Sequence, residues 1–357
     1  MNSRIEAVRK RLMETECDAF FSVAPPTNQY LTGFTGSTSA VVITANEALF
    51  LCDFRYTEQA ASQVHGCRIE EIKGNLLKRL AERLKDLKVE SAGFEPAYLT
   101  VDEFQTIQSE FSGSLKPQPE LIAGLRSVKS PEEVEAVRAA SGLAETVLVD
   151  LLPSIKSGIS ERELAARFEY EFKRRGASGA SFDTIALFGA RSSLPHGQPA
   201  DTLLRPGDVV LLDFGCRKGG YCSDLTRTYV FGNIPGLWLE EIYAITLKAQ
   251  EAALQSVKAG IPCRQLDAVA RDIIGEAGYG KQFGHGLGHG VGIEIHEAPR
   301  LNPEAEAVLE AGMVITIEPG IYLPGKGGVR IEDLVVVTGN GCEVLTKSPK
   351  ELKVLSE

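Results

Sequence analysis

The sequence predicts a mixed α/β (α+β) protein in two parts, an N-terminal α/β domain followed by a larger domain in which helices back a curved antiparallel sheet. The first third alternates helical and strand patterns, and a proline-containing stretch then runs into a strong helix start. Beyond it, four long helical patterns are interspersed with five apolar runs rich in β-branched residues. At 357 residues the chain exceeds one ordinary core, taking roughly 100 to 200 residues per domain.

From about Ile5 to Lys116, IEAVRKRLME and LLKRLAERLKDL carry helical patterns, whereas AVVITAN and EALFLCDF are short apolar runs of strand type. The stretch KPQPELIAGLRSVKSPEEVEAVRAAS holds three prolines and then a helix start: Ser130 as N-cap, Pro131 at the first helical position, Glu133 completing a capping box. The boundary is placed near residue 125, giving domains 1–125 and 126–357. After it, PEEVEAVRAASGLAETVLVDLL, SERELAARFEYEFKRRG, LEEIYAITLKAQEAALQSVKAG and RQLDAVARDIIGEAG read as helices. FDTIALFG, DVVLLDFG, GYCSDLTRTYVFG, MVITIEPGIYL and VRIEDLVVVTG read as the strands those helices cover. No internal repeat of about 20 to 50 residues is present, which sets solenoids and propellers aside.

Composition narrows the function. Apolar residues at 43% and charged residues at 24% are those of a soluble globular protein. A net charge of −10 without a Lys/Arg stripe leaves nothing to neutralise a phosphate backbone, so nucleic acid is not an expected partner. The first residues lack a signal-peptide h-region and nowhere do about 18 apolar residues run together, so no membrane association and a cytoplasmic location are expected. Seven cysteines, an odd number without a C-x-x-C pair, read as free thiols; Cys216 and Cys222 read as small buried hydrophobes without a chemical role.

Four acids sit at the ends of, or among, apolar runs: Asp213 closing VVLLDFG, Asp224 in GYCSDLTRTYV, Glu318 in MVITIEPG and Glu332 in VRIEDLVVV. An ionised carboxylate in such surroundings is costly without a cation or donors beside it. Singly, Asp213 and Asp224 read as turn caps in preference to ligands, and Glu318 and Glu332 equally as salt-bridged structural acids. Arg330, two residues before Glu332 and on the same face of a strand, is Glu332's expected partner. Together, four such acids are harder to assign to structure alone.

Three of the chain's five histidines fall in FGHGLGHGVGIEIHEAP: His285, His289 and His296. Glycines at 284, 286, 288, 290 and 292 would each cost a helix about 1 kcal/mol, so His285 and His289 belong to extended, closely approached backbone. No H-E-x-x-H occurs, no glycines fall in the G-x-G-x-x-G register, and the DFG at 213 to 215 lacks its companion kinase motifs.

The run HGLGHGVGIEIHE from His285 to Glu297 closely resembles the proline-peptidase signature of the pita-bread metallopeptidases. Asp213, Asp224, His289, Glu318 and Glu332, in the contexts LDFG, SDLTRT, GHGxG, IEPG and RIED, match that family's five metal ligands in chain order. The resemblance covers the whole chain, including NQYLTGFTGS, DFRYTEQA and LRSVKSPEEVEAVRAA, and favours the aminopeptidase P and prolidase branch. It implies a pita-bread catalytic domain, preceded by a domain that serves substrate access and dimerisation. It also implies two divalent cations, Mn²⁺ first and Co²⁺ or Zn²⁺ as alternatives, which suit a set of four carboxylates and one imidazole. Asp213 would hold one cation, His289 and Glu318 the other, and Asp224 and Glu332 both. Glu318 would also relay the proton as general base and acid. His196, in LPHGQP, and His296 would donate to the developing oxyanion with neutral imidazoles. His285 would shape the pocket near substrate, Arg330 orient Glu332, and Arg300 hold a substrate carboxylate or make a surface salt bridge. The implied substrates are peptides with proline at the second position, and the implied assembly is a homodimer.

Methionine aminopeptidases share the five ligands, but as a family they generally lack the first histidine, the R-x-E and an N-terminal domain of this size. A creatinase-like amidinohydrolase and a non-catalytic binding module of the same fold are disfavoured by the complete ligand set. A two-metal phosphoesterase is disfavoured by the lack of extra basic residues to clamp a phosphoryl group.

Overall fold

The computed structural model describes residues 3–356 and divides into two compact units between Arg126 and Ser127. In the first unit a six-stranded sheet runs in the order Arg68–Ile72, Ala48–Asp53, Ala40–Thr44, Ala19–Ser22, Ser91–Phe94, Ser114–Pro117. The three central strands form an antiparallel meander and the outer pairings are parallel. Helix Leu76–Asp86 is capped by Asn75 and buries Leu80 and Leu84; helix Val101–Glu110 starts in a capping box at Thr100. With Phe21, Val42, Leu51 and Phe111 they close one apolar core.

The second unit is built twice over from two helices on a sheet. Helices Pro131–Leu151 and Glu161–Arg174 pack on a four-stranded sheet, ordered Val354–Leu355, Leu225–Phe231, Val209–Phe214, Ile185–Phe188. Helices Leu237–Ser256 and Cys263–Glu276 pack on a five-stranded antiparallel sheet, ordered Glu297–Leu301, Gly288–Gly290, Val314–Ile317, Asp333–Val337, Cys342–Val344. Ser130 caps the first of these helices with Pro131 at its start, and the capping box with Glu133 is complete.

The curved sheet expected from sequence is thus divided into a four-stranded sheet, a five-stranded sheet and a two-stranded pair, Gly320–Leu323 with Gly327–Arg330. The Glu332 amide donates to Thr226 O (3.2 Å), and the Thr228 hydroxyl bridges both backbone groups of Arg330. That seam holds the acids. Asp213 lies one residue from the end of an antiparallel pairing in which it faces Thr226, whereas Asp224 lies just before strand Leu225–Phe231, after a separate hairpin of Cys216–Lys218 and Tyr221–Cys222. Glu332, expected inside a strand, instead occupies the break between Gly327–Arg330, which pairs with Gly320–Leu323 in a separate two-stranded sheet, and Asp333–Val337 of the five-stranded sheet. Glycine is obligatory beside His289: a Cβ on Gly288 would lie 2.1 Å from Thr316 O, and one on Gly290 2.2 Å from Ala298 O. Both flanking strands press on the histidine strand.

Candidate active site

Every residue singled out from sequence for a site role lines one cavity of about 510 Å³ in the second unit. Of these, Asp213, Asp224, His289, Arg330 and Glu332 are buried, His285 and Glu318 are half-buried, and His196, His296 and Arg300 are exposed. Asp213, Asp224 and Glu332 are buried, and each offers a carboxylate oxygen within 4.8 Å of the others.

Thr316 ties the histidine strand to Glu318: its hydroxyl accepts from the His289 amide (3.0 Å) and donates to Glu318 Oε1 (3.1 Å). His289 Nδ1 lies 3.0 Å from the Gly290 carbonyl, which can only accept, so the ring proton sits on Nδ1. The Nε2 lone pair therefore points at Glu318 Oε1 (3.3 Å) and Asp224 Oδ2 (3.6 Å). Burial lowers His289 from 6.5 to about 3, which keeps it neutral. Burial also pushes Glu318 up to about 7, and burial together with neighbouring carboxylates raises Asp224 and Glu332 well above their ordinary values.

These groups fit a divalent metal centre. Asp213 Oδ1 is buried without a hydrogen-bond partner, and a neutral imidazole lone pair faces two carboxylate oxygens that cannot donate to it once ionised. A divalent cation satisfies both, and carboxylate with imidazole is a donor set for ions of intermediate hardness. A ligating histidine with its other N–H on a backbone carbonyl is the usual supporting arrangement.

Arg330 does not pair with Glu332 as expected. Its guanidinium is buried against Asp213 (Nη2–Oδ2, 2.5 Å) and donates to Tyr322 Oη (2.8 Å), Thr226 Oγ1 (3.1 Å) and Pro195 O (3.3 Å). Thr226 in turn donates to Glu332 Oε2 (2.8 Å), so the arginine reaches Glu332 only through a hydroxyl. The strand break after Arg330 removes the two-residue register on which direct pairing depended. Tyr322, which no sequence signal marked, also lies 2.9 Å from His285 Nε2. Since His285 Nδ1 faces the Gly286 carbonyl at 2.8 Å, Nε2 accepts the tyrosine proton. Burial holds His285 at about 4.

At the wall, the His296 ring meets His289 edge-on with centroids 4.4 Å apart, and burial together with Arg300 lowers its pKa. Arg300 makes no ion pair among the described residues. Phe182, Ile185, Ile295 and Leu301 give the cavity an apolar side; sequence reasoning missed these because no motif marks them. All seven cysteines are free.

Residues 135–339 match the metallopeptidase family M24, and residues 4–128 match the creatinase/prolidase N-terminal domain. The chain is 40% identical to an Xaa-Pro dipeptidase of Pyrococcus furiosus, over 99% of this chain and 100% of that one. Among solved structures, an Xaa-Pro dipeptidase from Bacillus anthracis superposes with a TM-score of 0.96 at 41% identity, covering 99% of each chain. An X-Pro aminopeptidase from Thermotoga maritima superposes with a TM-score of 0.90 at 37% identity, covering 98% of this chain and 99% of that one. Full-length similarity of this strength, joined to a cavity whose acids and histidine call for divalent cations, places the chain in the metallopeptidase family M24.

Proposed function

We propose that the protein hydrolyses the bond between an N-terminal residue and a following proline, using two divalent cations, with Mn²⁺ the first candidate and Co²⁺ or Zn²⁺ the alternatives. The observation that carries this is the convergence of four carboxylates and a neutral imidazole, one oxygen of them buried and unpartnered, beside an apolar wall. The names borne by full-length relatives support the proline specificity.

In this reading Asp213 would hold one cation, His289 and Glu318 the other, and Asp224 and Glu332 both. When bound, the cations supply Lewis acidity toward the scissile carbonyl and acidify a water near neutral pH. Glu318 would take a proton from the attacking water and return it to the leaving prolyl nitrogen, which has none of its own. His196 and His296 donate to the carbonyl oxygen as charge develops on it. Arg330 holds Asp213 in place and leaves substrate to Arg300, whose free guanidinium suits a carboxylate. A tertiary Xaa-Pro amide offers no N–H, so Phe182, Ile185, Ile295 and Leu301 are assigned to reading the ring. On the resemblance alone, residues 1–125 serve substrate access and homodimerisation, which light scattering would read. Seven free thiols support a cytoplasmic location.

The test is release of the N-terminal residue from Ala-Pro, Ala-Pro-Ala and Ala-Ala-Ala by protein stripped and reloaded with each metal. Cleavage confined to the proline peptides supports the reading, and the dipeptide-to-tripeptide ratio separates dipeptidase from aminopeptidase. Cleavage of none, with two metals bound, replaces it with an amidinohydrolase or a binding module.

A further inference from the structure

Five consecutive residues, 195–199, form one side of the cavity and carry His196, yet they have no regular secondary structure. What fixes them is a fully buried carboxylate outside the cavity. Glu161, the first residue of helix Glu161–Arg174, accepts the Phe188 amide (2.8 Å) on Oε1 and the Ala200 amide (2.8 Å) on Oε2. It therefore grips the chain on both sides of the segment. Between those points, Arg191 Nε bridges both oxygens (3.1 and 2.9 Å) while its Nη2 donates to Gln198 O (2.7 Å). The backbone adds Glu161 N to Thr202 O and Arg162 N to Ala200 O, both 3.1 Å. A carboxylate in this position with both oxygens fully used is neither a surface ion pair nor a cavity residue.

We propose that Glu161 and Arg191 are positioning residues for catalysis: through the Phe188, Gln198 and Ala200 backbone they set where His196 meets the reacting carbonyl. This rests on the role given above to His196. A free segment of this length would sample many conformations, and ordering it costs entropy that must be met before substrate arrives. The buried carboxylate meets that cost during folding, so the imidazole is preorganised. A charged acceptor is needed, because a neutral amide in place of Glu161 offers one oxygen where the site demands acceptance on two.

The experiment uses full-length, metal-loaded protein and compares Glu161→Gln, Arg191→Gln, Arg191→Lys and His196→Ala with the Glu161→Gln/His196→Ala double variant. Arg162→Ala, which breaks the exposed pair with Asp201, is the control expected to leave activity unchanged. Glu161→Gln and Arg191→Gln are expected to lower kcat roughly ten- to hundredfold, with KM and metal content little changed, and Arg191→Lys to recover part of the loss. The double variant is expected to be no slower than His196→Ala, because misplacing an absent side chain has no further effect. Unchanged kcat in Glu161→Gln and Arg191→Gln, or an equal further loss in the His196→Ala background, overturns the proposal. If Glu161→Gln does not fold, the half-buried Arg191 carries the test. Wild-type kcat in His196→Ala instead removes the role given to His196, and with it the reason for the pair.

Discussion

Glu318→Gln is expected to abolish activity while stabilising the metal-free protein. Glu318 rises from 4.5 to about 7 in the fold, chiefly by burial, and at about 1.4 kcal/mol per pH unit its ionised form costs the metal-free fold about 3 kcal/mol. The folded state binds the proton more tightly than the unfolded chain, so the cost is nil below about pH 4.5, grows as pH rises, and is complete above about pH 7. Glutamine is nearly isosteric, and its amide oxygen still accepts the Thr316 hydroxyl. Removing the charge also relieves Glu332 and Asp224, both of which it pushes upward, so the neighbours act in the same direction. The catalytic unit runs from residue 127 to 357, and at about 2 to 4 °C per kcal/mol for a unit of this size the variant should melt roughly 6 to 12 °C higher at pH 8 in EDTA. Thermal unfolding at pH 8 and pH 4.5, with and without metal, reads this. The difference should vanish at pH 4.5, and metal should raise the wild type more than the variant. A variant that melts at or below wild type at pH 8 in EDTA would refute the reasoning.

Asp224→Ala should remove both activity and most bound metal, since it is assigned to both cations; metal analysis after gel filtration checks it, and full activity would sink the two-metal reading. His296→Ala should lower turnover with metal content kept, because its ring stands beside His289 without replacing it as a ligand; loss of metal would show that it is one. Gly288→Ala should destabilise by roughly 3 kcal/mol or more, because the new Cβ meets the Thr316 carbonyl, a backbone atom with no rotamer to escape to. An unchanged melting temperature would contradict the observed strand spacing.

Sequence patterning determined the long helices, the Ser130 cap and most strand segments, because periodicity and capping are properties of neighbouring residues. It also singled out the residues that share the cavity: a carboxylate that ends an apolar run, or a histidine among glycines, is conspicuous wherever it occurs. Arg330 marks where that legibility stops. Its position two residues from Glu332 pointed to a local pair, yet its ion pair is with Asp213, 117 residues away. Thr226 reaches Glu332 across 106 residues, and Tyr322, Glu161 and the apolar wall gave no local signal at all. What the chain alone singled out is a set of acids and histidines that lines one cavity. Which groups hold them in place was decided by the tertiary structure, because hydrogen bonds between sheets and loops depend on distances that no spacing along the chain encodes.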